Sequence, residues 1–251
     1  MHLHRWGEGP PVILLHGWTM AGDIWHPVAS HLEAASIAPD LPGHGLTTGY
    51  APTVDGGVQM LGDLIHREGV QEATLVGWSL GALIGWAYLA AGGGGIARMV
   101  SIDMSPCPLP QPGWPYAMHG QTTDKAARAG SRFASQWPAA AQAIAQGMFA
   151  TAENPLIPAT EARIGNNDAQ AMARYWHSLT SADLRASIAQ LPVPLLAIHG
   201  ALSRVYPPDT ATWLAQTAPQ GKSLILAGAG HSPILEAPQS VAGAISTFMR
   251  G

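Results

Sequence analysis

"LVGWSLGAL", Leu75 to Leu83, decides the fold. Its first residues finish an apolar run, Glu72 to Gly77, that reads as a strand. Its last residues open a helical pattern predicted from Leu80 to Ala91. Between them, Gly77-Trp78-Ser79-Leu80-Gly81 matches G-x-S-x-G. In that strand-to-helix turn, a glycine two residues either side of the serine lets the chain reverse sharply and leaves the hydroxyl exposed. A serine that merely caps a helix after a glycine turn fits the same five residues. The flanking strand and helix favour the nucleophile reading.

Outward from this turn, apolar runs alternate with helical patterns. Pro11–Gly17, Ser36–Asp40, Arg98–Asp103, Pro194–Gly200 and Lys222–Gly228 join Glu72–Gly77 as predicted strands. They lack strict alternation, as expected of parallel strands covered on both faces. Helices are predicted at Trp25–Ala34, Val54–Glu68, Pro208–Thr217 and Pro238–Met249, with the tetraglycine Gly92–Gly95 as a flexible connection back to a strand. The fold class is α/β, a doubly wound, mostly parallel sheet. From Met104 to Ser187 no strand is predicted, only helical stretches broken by prolines. We therefore expect a core of residues 1–103 and 188–251, with residues 104–187 inserted between two core strands as a helical cap over the sheet's carboxyl edge, where α/β proteins bind ligands.

Composition excludes several functions. The 251 residues are 47% hydrophobic and 11% charged, with a formal net charge of −4 and a pI near 6.2. That balance argues against general nucleic-acid or anionic-membrane binding, either of which usually shows a basic excess. One cysteine, Cys107, allows no intramolecular disulfide and no cysteine cluster. No H-E-x-x-H motif and no phosphate-binding glycine fingerprint occurs, so neither metal nor cofactor is expected. The amino-terminal apolar segment is too short for a signal peptide or membrane span, and the expectation is a soluble cytoplasmic protein.

A serine hydroxyl needs a base to take its proton. Of the eleven histidines, His231 in "LAGAGHSPILEAP" is the best placed, in a small-residue loop after the last predicted strand and before the last helix. The alternative is a solvent-exposed loop imidazole. His16 and His199 close strands beside glycine and read as loop-shaping residues; His44 reads as a turn residue. Acyl transfer also needs donors for the developing oxyanion. The Leu80 N–H, following the nucleophile, is one candidate, and the Trp18 N–H, after His16-Gly17, is the other.

Asp103 poses a separate question, because it ends an apolar strand and an unpaired buried carboxylate is costly. It pairs either with a histidine or with backbone N–H groups at the start of the cap.

The stretches "HGWTMAGDIW", "DLPGHG", "VGWSLGAL", "SPCPLPQPGWP" and "AGAGHSPILEAPQ" resemble those of the α/β-hydrolase carboxylesterases that demethylate pimeloyl-acyl-carrier-protein methyl ester in biotin synthesis. The elbow, oxyanion and histidine motifs are shared across that superfamily. The tryptophan inside the elbow and the start of the cap point to the subgroup. The resemblance implies an α/β-hydrolase fold with Ser79 as nucleophile, His231 as base, and Trp18 and Leu80 as oxyanion donors. It does not supply the acid. The family's pattern of glycine, two residues, aspartate, three residues, proline reads here as "GALSRVYP", with Ser203 in the aspartate's place. Asp209 lies nearby but reads as a helix cap. Some α/β-hydrolases, including certain haloalkane dehalogenases, carry their acid after the strand that follows the nucleophile's strand. By that resemblance Asp103 is the partner of His231.

The cap tryptophans and methionines, Trp114, Met118, Trp137, Met148 and Trp176, suggest an apolar acyl pocket, although such residues at helical spacing also build plain core. The cap carries a formal charge of +1 against −5 for the remainder. The resemblance implies that Arg128, Arg132, Arg163 and Arg174 dock an acidic acyl carrier protein. The bland alternative is that they solubilise helices. The function expected is a serine carboxylesterase acting on an ester substrate. The alternatives are a general esterase, lactonase or thioesterase, and a ligand-binding relative without turnover.

Overall fold

The computed structural model describes residues 1–251. The six predicted apolar runs form six parallel strands: β2 (Pro11–Leu15), β3 (Ala35–Pro39), β4 (Ala73–Trp78), β5 (Ile96–Ile102), β6 (Leu195–Gly200) and β7 (Gly221–Leu226). A seventh strand, β1 (Leu3–Trp6), was not expected. Its sequence, Leu-His-Arg-Trp, lacks an apolar run, because it lies half-exposed at the sheet edge and pairs only with β3, antiparallel. The strand order is β1-β3-β2-β4-β5-β6-β7, which puts β4 and β5 at the centre of the sheet.

The expected helix Trp25–Ala34 is shorter. A 3-10 turn at Gly22–Trp25 runs into α1 (His26–Ala29), and the chain then turns back so that the Ala35 N–H reaches the Pro10 carbonyl and starts β3 beside β2. Helix α2 (Val54–Glu68) has the bounds its sequence indicates. Thr53 caps it by accepting from the Gly56 N–H, and Gly69 ends it at φ 60°, where a side chain would be strained. Helix α3 (Leu80–Ala90) is apolar nearly all round because it packs between α2 and the sheet.

No strand lies between β5 and β6. That stretch holds α4 (Thr123–Gly147), α5 (Ile157–Gly165), α6 (Ala169–Thr180) and α7 (Arg185–Ile188). Pro138 lies inside α4, where it cannot donate to the ladder, and Gln136 just before it leaves helical geometry, kinking the helix. The chain closes with α8 (Thr210–Thr217), α9 (Pro233–Glu236) and α10 (Pro238–Arg250). Asp209 stands at the amino end of α8 but makes no capping hydrogen bond, contrary to its expected role. No helix is long and apolar enough to cross a membrane.

Candidate active site

Ser79 sits at φ 51° and ψ −118°, a conformation that L-residues avoid, between the end of β4 and the first turn of α3. Two glycines make that turn possible. A Cβ on Gly77 would lie 2.4 Å from the Ala82 nitrogen, and one on Gly81 would lie 2.2 Å from the Leu15 carbonyl oxygen. The Ser79 N–H is anchored to the Ile102 carbonyl of β5, so the serine is held from beneath by the neighbouring strand.

His231 Nε2 lies 3.2 Å from Ser79 Oγ, and His231 Nδ1 lies 2.7 Å from Asp103 Oδ1. The carboxylate fixes the proton on Nδ1, which leaves Nε2 as an acceptor for the serine hydroxyl. Three loops meet here: the elbow after β4, the turn after β5 and the loop after β7. Trp78 joins the first to the third by donating its indole N–H to the His231 carbonyl at 2.7 Å. Glu236 holds the histidine loop from the other side, accepting from the Gly230 and Ala150 N–H groups at 2.8 Å each. Sequence reading assigned neither contact. The only hint was the placing of Trp78 inside the elbow and of Glu236 five residues after the histidine.

Asp103 is fully buried, with φ 47°. It pairs with a histidine, and its backbone donor comes from the end of β6 and not from the start of the cap. Oδ1 receives the His231 Nδ1–H and the Ser203 hydroxyl, and Oδ2 receives the Gly200 N–H at 2.9 Å. Burial alone would raise its pKa. The neighbouring His199 and the bonds from His231 and Gly200 overcome that and hold the carboxyl below its ordinary range.

The loop after β2 makes a tight turn, closed by the Met20 N–H on the Gly17 carbonyl. The same carbonyl accepts from His16 Nδ1 at 2.8 Å, so the far side of that peptide, the Trp18 N–H, is left free. The Leu80 N–H at the start of α3 is likewise unused by the protein. His16 Nε2 accepts from the Leu41 N–H, and His44 Nε2 accepts from the Thr19 N–H. Both imidazoles therefore shape this loop in their neutral forms. Burial drives His16 down to about 4 and His44 well below its ordinary value.

Residues 12–244 match the alpha/beta hydrolase family. The chain belongs to the α/β-hydrolase family. Among curated proteins it is 30% identical over 258 residues to the pimeloyl-[acyl-carrier protein] methyl ester esterase of Aromatoleum aromaticum, covering 96% of this chain and 99% of that one. It is 27% identical to the protein of the same name from Edwardsiella ictaluri, over 99% of this chain and 96% of that one. An esterase from Exiguobacterium antarcticum superposes with a TM-score of 0.91 at 19% identity, covering 100% of this chain and 95% of that one, which is a likeness of fold alone.

In this α/β-hydrolase a cavity of about 340 Å³ opens beside Ser79 and His231. Its walls are mostly apolar, from Trp18 and Leu80 of the core and from Met118, Phe133, Ile144, Met148, Trp176 and Leu179 of the insertion, while Arg204 and His119 stand at its rim. Two residues expected at the pocket lie elsewhere. Trp114 packs edge-on against Trp213 and gives its N–H to the Cys107 carbonyl, seating the start of the insertion. Trp137 donates to the Ile164 carbonyl and meets Trp18 edge-on. Of the four arginines, Arg128, Arg132 and Arg174 are exposed. Arg163 is bound to Asp23 by two bonds of 2.6 and 2.7 Å, which takes it out of the expected docking set.

The only candidate metal grouping is His2, His4 and Asp40, whose ligand atoms lie within 4.8 Å of one another. No sequence motif announces it. The Asp40 carboxylate is already occupied by His4, Gly22 and Leu46, so it serves as a loop anchor.

Proposed function

We propose that this chain is a serine carboxylesterase that works through an acyl-enzyme. Its preferred substrate on this reading is pimeloyl-acyl-carrier-protein methyl ester, in biotin synthesis in the cytoplasm. The observation that carries the proposal is the line Ser79 Oγ, His231 Nε2, His231 Nδ1, Asp103 Oδ1 at the mouth of an apolar cavity. The relatives' names support the ester and its carrier.

Ser79 Oγ attacks the ester carbonyl as its proton passes to His231 Nε2. The Trp18 and Leu80 N–H groups receive the oxyanion, and Asp103 stabilises the imidazolium without taking its proton. Collapse of the tetrahedral intermediate breaks the bond to the alkoxy group, which leaves as the alcohol with the proton from His231. Water then attacks the acyl-Ser79 ester, again giving a proton to Nε2, and the acid departs as Ser79 regains its hydrogen. The insertion, residues 104–187, acts as the cap over the acyl chain, and Arg128, Arg132 and Arg174 face the acidic carrier.

The test is labelling with a fluorophosphonate together with the hydrolysis rates of short p-nitrophenyl esters and of methyl pimeloyl-carrier protein. The proposal expects stoichiometric label on Ser79 and the higher kcat/KM on the carrier ester. No label on Ser79 would overturn the serine mechanism, and equal rates on both substrates would overturn the carrier.

A further inference from the structure

The loop after β2 is gripped by the insertion. Thr19, at the third position of the Gly17–Met20 turn, has φ 72°. A turn of this kind normally places glycine there, because a β-branched side chain in the left-handed region is strained. Two tethers hold it. Its N–H goes to His44 Nε2 at 3.1 Å, from within the core, and its carbonyl accepts from Asn167 Nδ2 at 2.9 Å, from the segment joining α5 to α6.

The same Asn167 amide nitrogen faces the carbonyls of Arg163 and Ile164 at 3.2 and 3.1 Å. Three surrounding acceptors fix which end of the amide is nitrogen. One turn earlier, Arg163 fastens α5 to Asp23, just beyond the oxyanion loop. The Trp18 ring also lies against Phe133, Trp137 and Trp176 of the insertion, at centroid distances of 5.5, 6.2 and 5.1 Å.

We infer that Asn167 is a positioning residue for the oxyanion hole. Its bond to the Thr19 carbonyl holds the turn that aims the Trp18 N–H, so the insertion helps to assemble the catalytic geometry as well as covering the substrate. This rests on the proposed serine mechanism. Asn167 does not line the cavity, so its loss should act on the transition state and not on ground-state binding.

The experiment measures kcat and KM on a p-nitrophenyl ester, and the Ki of a trifluoromethyl ketone, whose adduct with Ser79 places an alkoxide in the oxyanion hole. Asn167→Ala is expected to lower kcat roughly tenfold to a hundredfold and to raise the Ki in proportion, with KM and fluorophosphonate capacity unchanged. Arg163→Gln, which loosens the same clasp from the surface, is expected to give a smaller loss with the same proportionality, and it decides the matter if Asn167→Ala does not fold. A kcat within twofold of the parent, or a loss confined to KM with the ketone's Ki unmoved, overturns the inference. If the parent itself neither labels at Ser79 nor binds the ketone, the serine mechanism fails and this inference fails with it.

Discussion

Ser203 and His231 converge on one oxygen: Ser203 Oγ and His231 Nδ1 each lie 2.7 Å from Asp103 Oδ1. The resemblance puts the acid at position 203. In this chain the residue there is a donor to a carboxylate from the adjacent strand. The Val205 and Tyr206 N–H groups approach Ser203 Oγ at 3.4 and 3.3 Å, so the hydroxyl hydrogen is directed at Asp103. Two loops, one after β5 and one after β6, therefore meet at the carboxylate oxygen that faces His231 Nδ1.

Asp103→Asn tests which anchor is in use. The substituted amide presents either an N–H or a weaker acceptor to His231, and a disturbed tautomer is expected to cut kcat by roughly 10³ to 10⁴ with the fold retained. Adding Ser203→Asp to that variant puts a carboxylate on the neighbouring loop, whose present side chain touches Asp103 Oδ1, and should recover part of the loss. Steady-state kinetics and a thermal melt of the single and double variants decide it. Full activity in Asp103→Asn would remove the aspartate from the mechanism.

Ser79→Ala removes only a hydroxyl from a residue whose backbone is anchored on Ile102. The melting temperature is expected to stay within a few degrees of the parent while turnover falls by on the order of 10⁶. Residual activity within about tenfold of the parent would place the nucleophile elsewhere.

Stability in acid should reflect His16. Its folded pKa lies near 4, below the unfolded value near 6.5, because burial opposes charge and both ring nitrogens are occupied in the neutral form. Above pH 6.5 neither state binds the proton and the stabilisation is complete. As the pH falls towards 4, only the unfolded chain gains the proton, so stability declines. At pH 5 the loss from His16 alone is about 2 kcal/mol relative to pH 7.5, and buried His44 and His199, also lowered, add in the same direction. Urea titrations at the two pH values measure it. An unchanged free energy of unfolding would contradict the buried neutral assignment.

Residues that act by local pattern were the legible ones. Ser79 and His231 announce themselves because a strained elbow needs glycines at fixed offsets and because the histidine's loop follows the last strand. The parallel strands were visible as apolar runs for the same reason, since burial on both faces leaves no room for polar alternation. β1 was hidden because an edge strand of four residues, two of them polar, has no such run. The pairings of Asp23 with Arg163 and of the Thr19 carbonyl with Asn167 were illegible because they span 140 and 148 residues and use polar groups that serve equally well on a solvated surface. The pocket role expected of Trp114 failed for a related reason. A tryptophan's sequence position does not tell whether its ring faces a cavity or, as here, a neighbouring Trp213.

The arginines separate into two kinds, and charge reversal should separate them in solution. Arg128 and Arg132 are exposed on α4, four residues apart and so on one face of the helix. Reversing both to glutamate is expected to raise KM for an acyl-carrier-protein ester several-fold and to flatten its salt dependence, while short p-nitrophenyl esters, which need no carrier, keep their kinetics. Arg163→Glu should behave differently, because it sets a carboxylate against Asp23, just beyond the loop that follows β2. It is expected to lower kcat on both substrates alike, with no selective effect on the carrier ester. Carrier-ester KM unchanged in the Arg128→Glu, Arg132→Glu variant across a range of ionic strength would show that α4 does not meet the carrier. The insertion would then be a cover for the acyl chain alone.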